Sequence, residues 1–148
     1  MQIEKMTAKT TLGVAEIEAE CFHDPWDEKT LNNTLSNDSI TYLVAIKDAG
    51  IAGYVGYYDL IDEFSVINIA VKKEYRSHGI GTALLNRMKE NANELSKEKI
   101  TLEVRASNIP AIKLYEKCGY VKTAEKENYY TKPKEAAYFY QLETDTKC

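Results

Sequence analysis

Phe64-Ser65-Val66-Ile67-Asn68-Ile69-Ala70-Val71 runs into Lys72-Lys73-Glu74-Tyr75-Arg76-Ser77-His78-Gly79-Ile80-Gly81, and within this stretch the apolar period changes. Phe64 to Val71 reads as a strand. From Gly79 to Leu95 the spacing becomes helical, with Ile80, Leu84, Met88, Ala92 and Leu95 on one stripe. The second glycine of the loop therefore falls inside the first turn of a helix. Free backbone N–H groups there, with the positive end of the helix dipole, make an anion site. Glycine lets a phosphate approach the backbone without a Cβ in the way. The same residues also describe an ordinary strand-to-helix turn with a tight start. Neither GxxxxGK[ST] nor GxGxxG is present, and no early βαβ unit exists to hold a dinucleotide.

Downstream, Ile100 to Val104 reads as a strand and Pro110 to Lys117 as a short helix that Gly119 stops. Tyr120 to Leu142 reads as two strands broken near Lys132-Pro133-Lys134. Upstream, Tyr42 to Ile46 and Ile51 to Tyr58 are joined by the turn Lys47-Asp48-Ala49-Gly50. A helix over Leu12 to Phe22 places Val14, Ile17 and Cys21 on one face. Asp27 caps a second helix carrying Leu31 and Leu35, with Trp26 and Leu31 at the positions of a hydrophobic staple. A first strand lies around Ile3 to Met6. The order β-α-α-β-β-β-α-β-α-β-β predicts a mixed sheet with helices on its faces, an α/β (α+β) fold. At 148 residues the chain suits one domain, spanning 1–148.

Hydrophobic residues make up 44% and charged residues 28%, which excludes a disordered chain, a collagen-like fibre and a long coiled coil. No apolar run is long enough to span a bilayer, and the first residues lack a signal-peptide layout. A cytoplasmic protein is expected. The formal charge of −4 argues against a broad basic surface for nucleic acid and suits a cationic acceptor. The three cysteines, Cys21, Cys118 and Cys148, form no CxxC pair, and the only histidines are His23 and His78. Free thiols in a reducing compartment are expected, with no zinc cluster and no metal.

Two more segments carry candidate chemistry. In a strand, Leu102 and Val104 share one face while Thr101, Glu103 and Arg105 share the other. Glu103 is then either a general base facing a cleft or half of a surface pair with Arg105. On the following helix Tyr115 is either a half-buried packing residue or an acid. Cys118 has no histidine nearby in sequence to activate it and reads as packing.

Together these motifs fit one family. Arg76-x-x-Gly79-x-Gly81 resembles the acetyl-CoA loop of the GNAT superfamily of N-acetyltransferases, and Asn108 with Ile112 to Tyr120 resembles its cofactor-side helix. More narrowly, PWDEKTL (Pro25 to Leu31), NIAV (Asn68 to Val71), LEVRASN (Leu102 to Asn108) and Asn128-Tyr129-Tyr130 are similar to the bacterial ribosomal-protein-alanine N-acetyltransferases, the RimI family. The resemblance implies a mixed sheet of about seven strands with about four helices. It implies acetyl-CoA as co-substrate and direct acetyl transfer to a protein N-terminal α-amine, on the alanine of a small-subunit ribosomal protein. Ile69, Ala70 and Val71 would pair with the pantetheine arm. The loop Arg76, Ser77, His78, Gly79, Ile80 and Gly81 would hold the pyrophosphate, and Asn108 would contact the cofactor near its arm.

By the same resemblance Glu103 would be the general base, with Glu63 as its competitor, and Tyr115 the general acid. Pro25, Trp26, Tyr129 and Tyr130 would flank the peptide channel. The chain departs from the pattern at Ser77, where a second basic residue is common, and at Ala136, near which an acidic residue is expected. Expected partners are a protein N-terminus, with no direct nucleic acid and no membrane, for a monomer or weak dimer. The rivals are an acetyltransferase for a small amine or lysine side chain, and a non-catalytic acetyl-CoA-binding regulatory module.

Overall fold

A computed structural model describes residues 1–145, so the expectation for Cys148 lies outside the described residues. Seven strands form one mixed sheet in the order β1 (Gln2–Lys5), β2 (Ile40–Lys47), β3 (Gly50–Asp59), β4 (Glu63–Val71), β5 (Lys99–Arg105), β7 (Lys134–Glu143) and β6 (Val121–Thr131). Every neighbouring pair is antiparallel except β4 and β5, which the crossover helix α3 (Ile80–Glu94) connects. The helices α1 (Thr11–Cys21) and α2 (Glu28–Thr34) bury Val14, Ile17 and Leu31 against Tyr42, Val44 and Tyr54 of one sheet face. On the other face α3 and α4 (Ile109–Lys117) bury Leu84, Met88, Ile112 and Tyr115 against Val55, Phe64, Leu102 and Val104. The strict alternation of Leu102 and Val104 with Glu103 is thus realised. No helix among the described residues is long and apolar enough to cross a membrane.

Local chemistry explains the boundaries. Asp27 Oδ1 accepts from Thr30 N at 2.8 Å and starts α2 as its cap. Trp26 and Leu31 join the same apolar cluster. Asp48 and Ala49, both at positive φ, close the β2–β3 hairpin in the sense that matches strand twist. Gly119, at φ 93°, ends α4, with Tyr120 N bonding back to Tyr115 O at 3.0 Å.

Leu95 departs from the expected stripe. The helix ends at Glu94, and Leu95 is 56% exposed. Ser96 takes the left-handed turn at φ 57°, and Lys97 N bonds to Ala92 O at 2.9 Å. This is the usual glycine closure made by a serine. The first strand begins and ends one residue earlier than expected, and Tyr120 is a buried core residue preceding β6.

One irregularity shapes the centre of the sheet. Opposite β3 the register shifts so that Gly56 faces Asn68 while Tyr57 faces Val66, leaving Ile67 as an extra residue in β4. A bulge bends its strand and increases the local twist. On the other side, β4 pairs with β5 only at Glu63–Lys99, Phe64–Ile100 and Ser65–Thr101. Beyond that point the two parallel strands part, and residues 66–71 and 102–105 face an open gap.

Candidate active site

A cavity of about 750 Å³ lies at the open end of this gap. One wall is Ile69, Ala70 and Val71, whose edge toward β5 has no strand partner. Asn108, Leu114 and Tyr115 of the α4 region form the opposite wall. Arg76, Ser77, Gly79, Ile80 and Gly81 close it at the start of α3. A region of unpaired strand edge beside a helix start suits a long ligand carrying amides at one end and an anion at the other.

The loop geometry supports an anion. Among the described residues, the backbone N–H groups of residues 77–82 have no acceptor. Ser77 and Gly79 are both left-handed, at φ 66° and 79°, the kind of alternation that turns successive N–H groups toward one point. A Cβ on Gly79 would meet nothing within 4 Å, so the space beside it is open to a ligand. At Gly81 a Cβ would lie 2.9 Å from Leu114 Cδ2, so glycine lets α3 and α4 approach. Arg76 is turned back on the chain: Nε donates to Val71 O at 3.2 Å and Nη2 to Cys21 Sγ at 3.3 Å. Burial pushes the Cys21 thiol up, against the pull of that guanidinium. His78 stands apart from the cavity lining, edge-on to Tyr75 with ring centroids 6.4 Å apart.

Asn108 caps α4 by accepting from Ala111 N at 3.3 Å through Oδ1, which leaves its Nδ2 as the free donor end. Tyr115 is 4% exposed, between the rings of Tyr120 and Tyr140. Burial, then the neighbouring Tyr130, pushes its phenol above the ordinary range, so at neutral pH it is a hydrogen-bond donor.

Glu103 lies on the opposite sheet face from Tyr115. It is exposed, and Tyr129 donates its hydroxyl to Glu103 Oε2 at 2.9 Å. That hydrogen bond and the Glu103 charge push the Tyr129 phenol up, while burial, then Glu103, pushes Tyr130 to about 12. Arg105 is engaged elsewhere. It donates to Pro133 O at 2.8 Å and Lys132 O at 3.2 Å, and its guanidinium lies 4.3 Å from the Tyr130 ring centre. The surface pair between Glu103 and Arg105 is therefore not the arrangement adopted. Glu63 sits at the closed end of the gap, accepting from the Thr101 hydroxyl at 2.6 Å. On the α1–α2 side Trp26 packs against Tyr42, ring centroids 6.3 Å apart, and Pro25 is exposed.

The Acetyltransferase (GNAT) family profile matches residues 11–120, most of the elements just described. The chain belongs to the GNAT acetyltransferase family. A Bacillus subtilis protein, given provisionally as a [ribosomal protein bS18]-alanine N-acetyltransferase, is 40% identical over 119 residues, 80% of this chain and 79% of that protein. A Saccharolobus solfataricus N-alpha-acetyltransferase is 37% identical over 115 residues, 69% of each chain. The crystal structure of the ribosomal-protein-S18-alanine N-acetyltransferase from Escherichia coli superposes with a TM-score of 0.89 at 28% identity, covering 99% of this chain and 96% of that one. This GNAT protein is thus an N-acetyltransferase of the RimI type, with the GNAT fold.

Around the cavity of this GNAT acetyltransferase the structure gathers Ile69, Ala70, Val71, Arg76, Ser77, Gly79, Ile80, Gly81, Asn108 and Tyr115. Glu103, Tyr129 and Tyr130 group on the other face of the gap. Missing from the sequence reading is Glu18, a 3% exposed carboxylate that accepts from Trp26 N, Tyr54 and Asn68. The signal was available, because Glu18 is four residues after Val14 and three before Cys21, on the buried stripe of α1.

Proposed function

We propose that this enzyme transfers the acetyl group of acetyl-CoA to the α-amine of a protein N-terminus, the N-terminal alanine of a small-subunit ribosomal protein. The observation that carries the reading is the parted pair β4 and β5, with an unpaired strand edge and a ring of free N–H groups on one side and Glu103 on the other. The relatives named for bS18 and S18 alanine acetylation support this choice of acceptor.

Acetyl-CoA supplies an activated thioester acyl group. The residues around it have separable tasks. The edge of Ile69 to Val71 offers backbone N–H and C=O groups to the amides of the cofactor arm, and a strand N–H there can stabilise developing negative charge on oxygen. The N–H groups of residues 77–82 hold the diphosphate, a task that rests on backbone because Arg76 is turned inward and residue 77 is serine. Asn108 Nδ2 donates toward the arm.

Glu103 accepts the amine proton through water, its carboxylate oriented by Tyr129. An α-amine with pKa near 7.7–8.0 loses its proton at neutral pH for about 1 kcal/mol, whereas a lysine amine near 10.4 requires about 3.5 kcal/mol more. A carboxylate needs to do less for the first. Tyr115, with its phenol pushed well above that of a thiol near ~8.5, supports the departing sulfur by donating a hydrogen bond.

The test is CoA-thiol release from acetyl-CoA with a short basic peptide beginning in alanine, beside the same peptide with a blocked N-terminus and a polyamine. Turnover confined to the free α-amine is expected. Turnover with the blocked peptide or the polyamine alone overturns the acceptor assignment.

A further inference from the structure

Glu18 takes hydrogen bonds from three segments that are distant in sequence. Oε1 accepts from Trp26 N at 2.9 Å, and Oε2 accepts from Asn68 Nδ2 at 2.9 Å and from the Tyr54 hydroxyl. Among the described residues no lysine or arginine pairs with it, so a buried carboxyl group is met by neutral donors alone. Such a group is tolerated only when its oxygens are satisfied, and removing it strands every donor it served.

The donors occupy informative places. Among the described residues, the bond from Trp26 is the only hydrogen bond made by the backbone from His23 to Trp26. Asn68 directly follows the extra residue of the β4 bulge and directly precedes Ile69, the first cavity-lining residue of that strand. The bulge turns both Ile67 and Asn68 toward α1, while Val66 and Ile69 pack on the α3 side. One carboxylate thus ties the α1–α2 loop to the point where β4 bends into the gap.

We infer that Glu18 is the positioning residue of the acceptor side: it fixes the Pro25–Trp26 loop against Asn68 and so sets where an incoming amine meets β4. This rests on the reading of Pro25 and Trp26 as walls of the acceptor channel. Glu18 touches neither substrate in this scheme and acts through the loop.

The experiment compares Glu18→Ala, Glu18→Asp and Glu18→Gln, at a temperature where circular dichroism shows each folded, using an acceptor that the unaltered enzyme turns over. Glu18→Ala raises the acceptor KM at least tenfold, acetyl-CoA affinity by calorimetry stays within threefold, and amide exchange quickens at Trp26 but not along β3. Glu18→Asp, too short to reach all donors, shows the same KM shift and serves if the alanine variant does not fold. Glu18→Gln recovers most of the loss, since its carbonyl still serves Trp26 while Tyr54 and Asn68 can reverse their roles. A folded Ala or Asp variant whose acceptor KM stays within twofold, with only its melting temperature lowered, overturns the inference. If the unaltered enzyme acetylates none of the acceptors, the acceptor reading fails, and the exchange measurement decides alone: unchanged protection at Trp26 in the variants overturns the role given to Glu18.

Discussion

Tyr129 reaches Glu103 over an intervening strand. The two residues lie on β6 and β5, and β7 runs between them. Phe139 of β7 stands directly opposite Glu103, and the Tyr129 ring meets it edge-on at 5.5 Å. A register shift between Lys126 and Tyr130, with Asn128 at φ 55°, gives β6 the slack to fold Tyr129 across. The result is a carboxylate held on the sheet face away from Tyr115 by a phenol rather than by a cation.

Replacing that carboxylate tests its role. Glu103→Gln should lower kcat by roughly 10²-fold, the usual contribution of a positioned base, and leave acetyl-CoA affinity unchanged because Glu103 is not in the cavity lining. Tyr129→Phe should lower kcat by less than about tenfold, as the loss of an orienting hydrogen bond. CoA-release kinetics with calorimetry check both. A normal rate in Glu103→Gln would move the base to Glu63.

Tyr115→Phe should also reduce kcat by roughly 10²-fold at unchanged cofactor affinity. Because burial raises the Tyr115 phenol above its ordinary value near ~10, no alkaline fall in kcat assignable to it is expected below about pH 10. A limb below that point which disappears in Tyr115→Phe would contradict the buried setting.

The alkaline side also bears on stability. Burial is the leading cause that raises Tyr42, Tyr54, Tyr115 and Tyr120, with the Glu18 charge adding to the first two. Their folded values lie above the unfolded one near ~10, so the unfolded chain releases its protons first. Their contribution is full below about pH 10 and is lost as pH climbs from there toward the folded values. Urea melts at about pH 8 and about pH 10.5 should show lower stability at the higher pH, whereas a rise would refute it.

Tyr120 offers a sharper case. Its ring is 3% exposed, and among the described residues its buried hydroxyl has no hydrogen-bond partner. Tyr120→Phe should therefore be neutral or stabilise by up to about 1 kcal/mol. Tyr140→Phe, which removes a 2.9 Å bond to Glu116, should destabilise by about that amount. Equal losses in the two variants would show that Tyr120 has a partner after all.

Gly79→Val separates binding from catalysis. A β-branched residue at φ 79° is strained by more than about 1 kcal/mol, and its side chain enters the open space beside the free N–H groups. Acetyl-CoA affinity should fall at least tenfold, with a smaller change in kcat at saturating cofactor. Unchanged affinity by calorimetry would remove the loop from the cofactor site.

Much of this was readable from residue patterns because the signals were local. Asp27, Gly119 and the Asp48-Ala49 turn act within a few residues of themselves, and the two-fold alternation around Glu103 survives into the sheet. Leu95 misled because a serine, Ser96, supplied the left-handed closure for which glycine is the usual sign. Glu18 escaped because an acidic residue on an amphipathic helix ordinarily faces water. Its partners, Tyr54 and Asn68, come from strands 36 and 50 residues away. The course of Arg76 onto Val71 and Cys21, and of Tyr129 over β7, depends on backbone irregularities that leave no composition behind.

The short join between β4 and β5 has a mechanical consequence. One antiparallel block, β1 to β4, and another, β5 with β7 and β6, meet edge to edge at only three residue pairs, the last being Ser65 with Thr101. These pairs act as a hinge pin at one end of two long levers. A rotation of a few degrees about that pin changes the far spacing by ångströms and breaks no rung within either block. The width of the mouth is therefore set by the apolar layer under α3 and α4, which packs against both levers, whereas α1 rests on the β1–β4 lever alone.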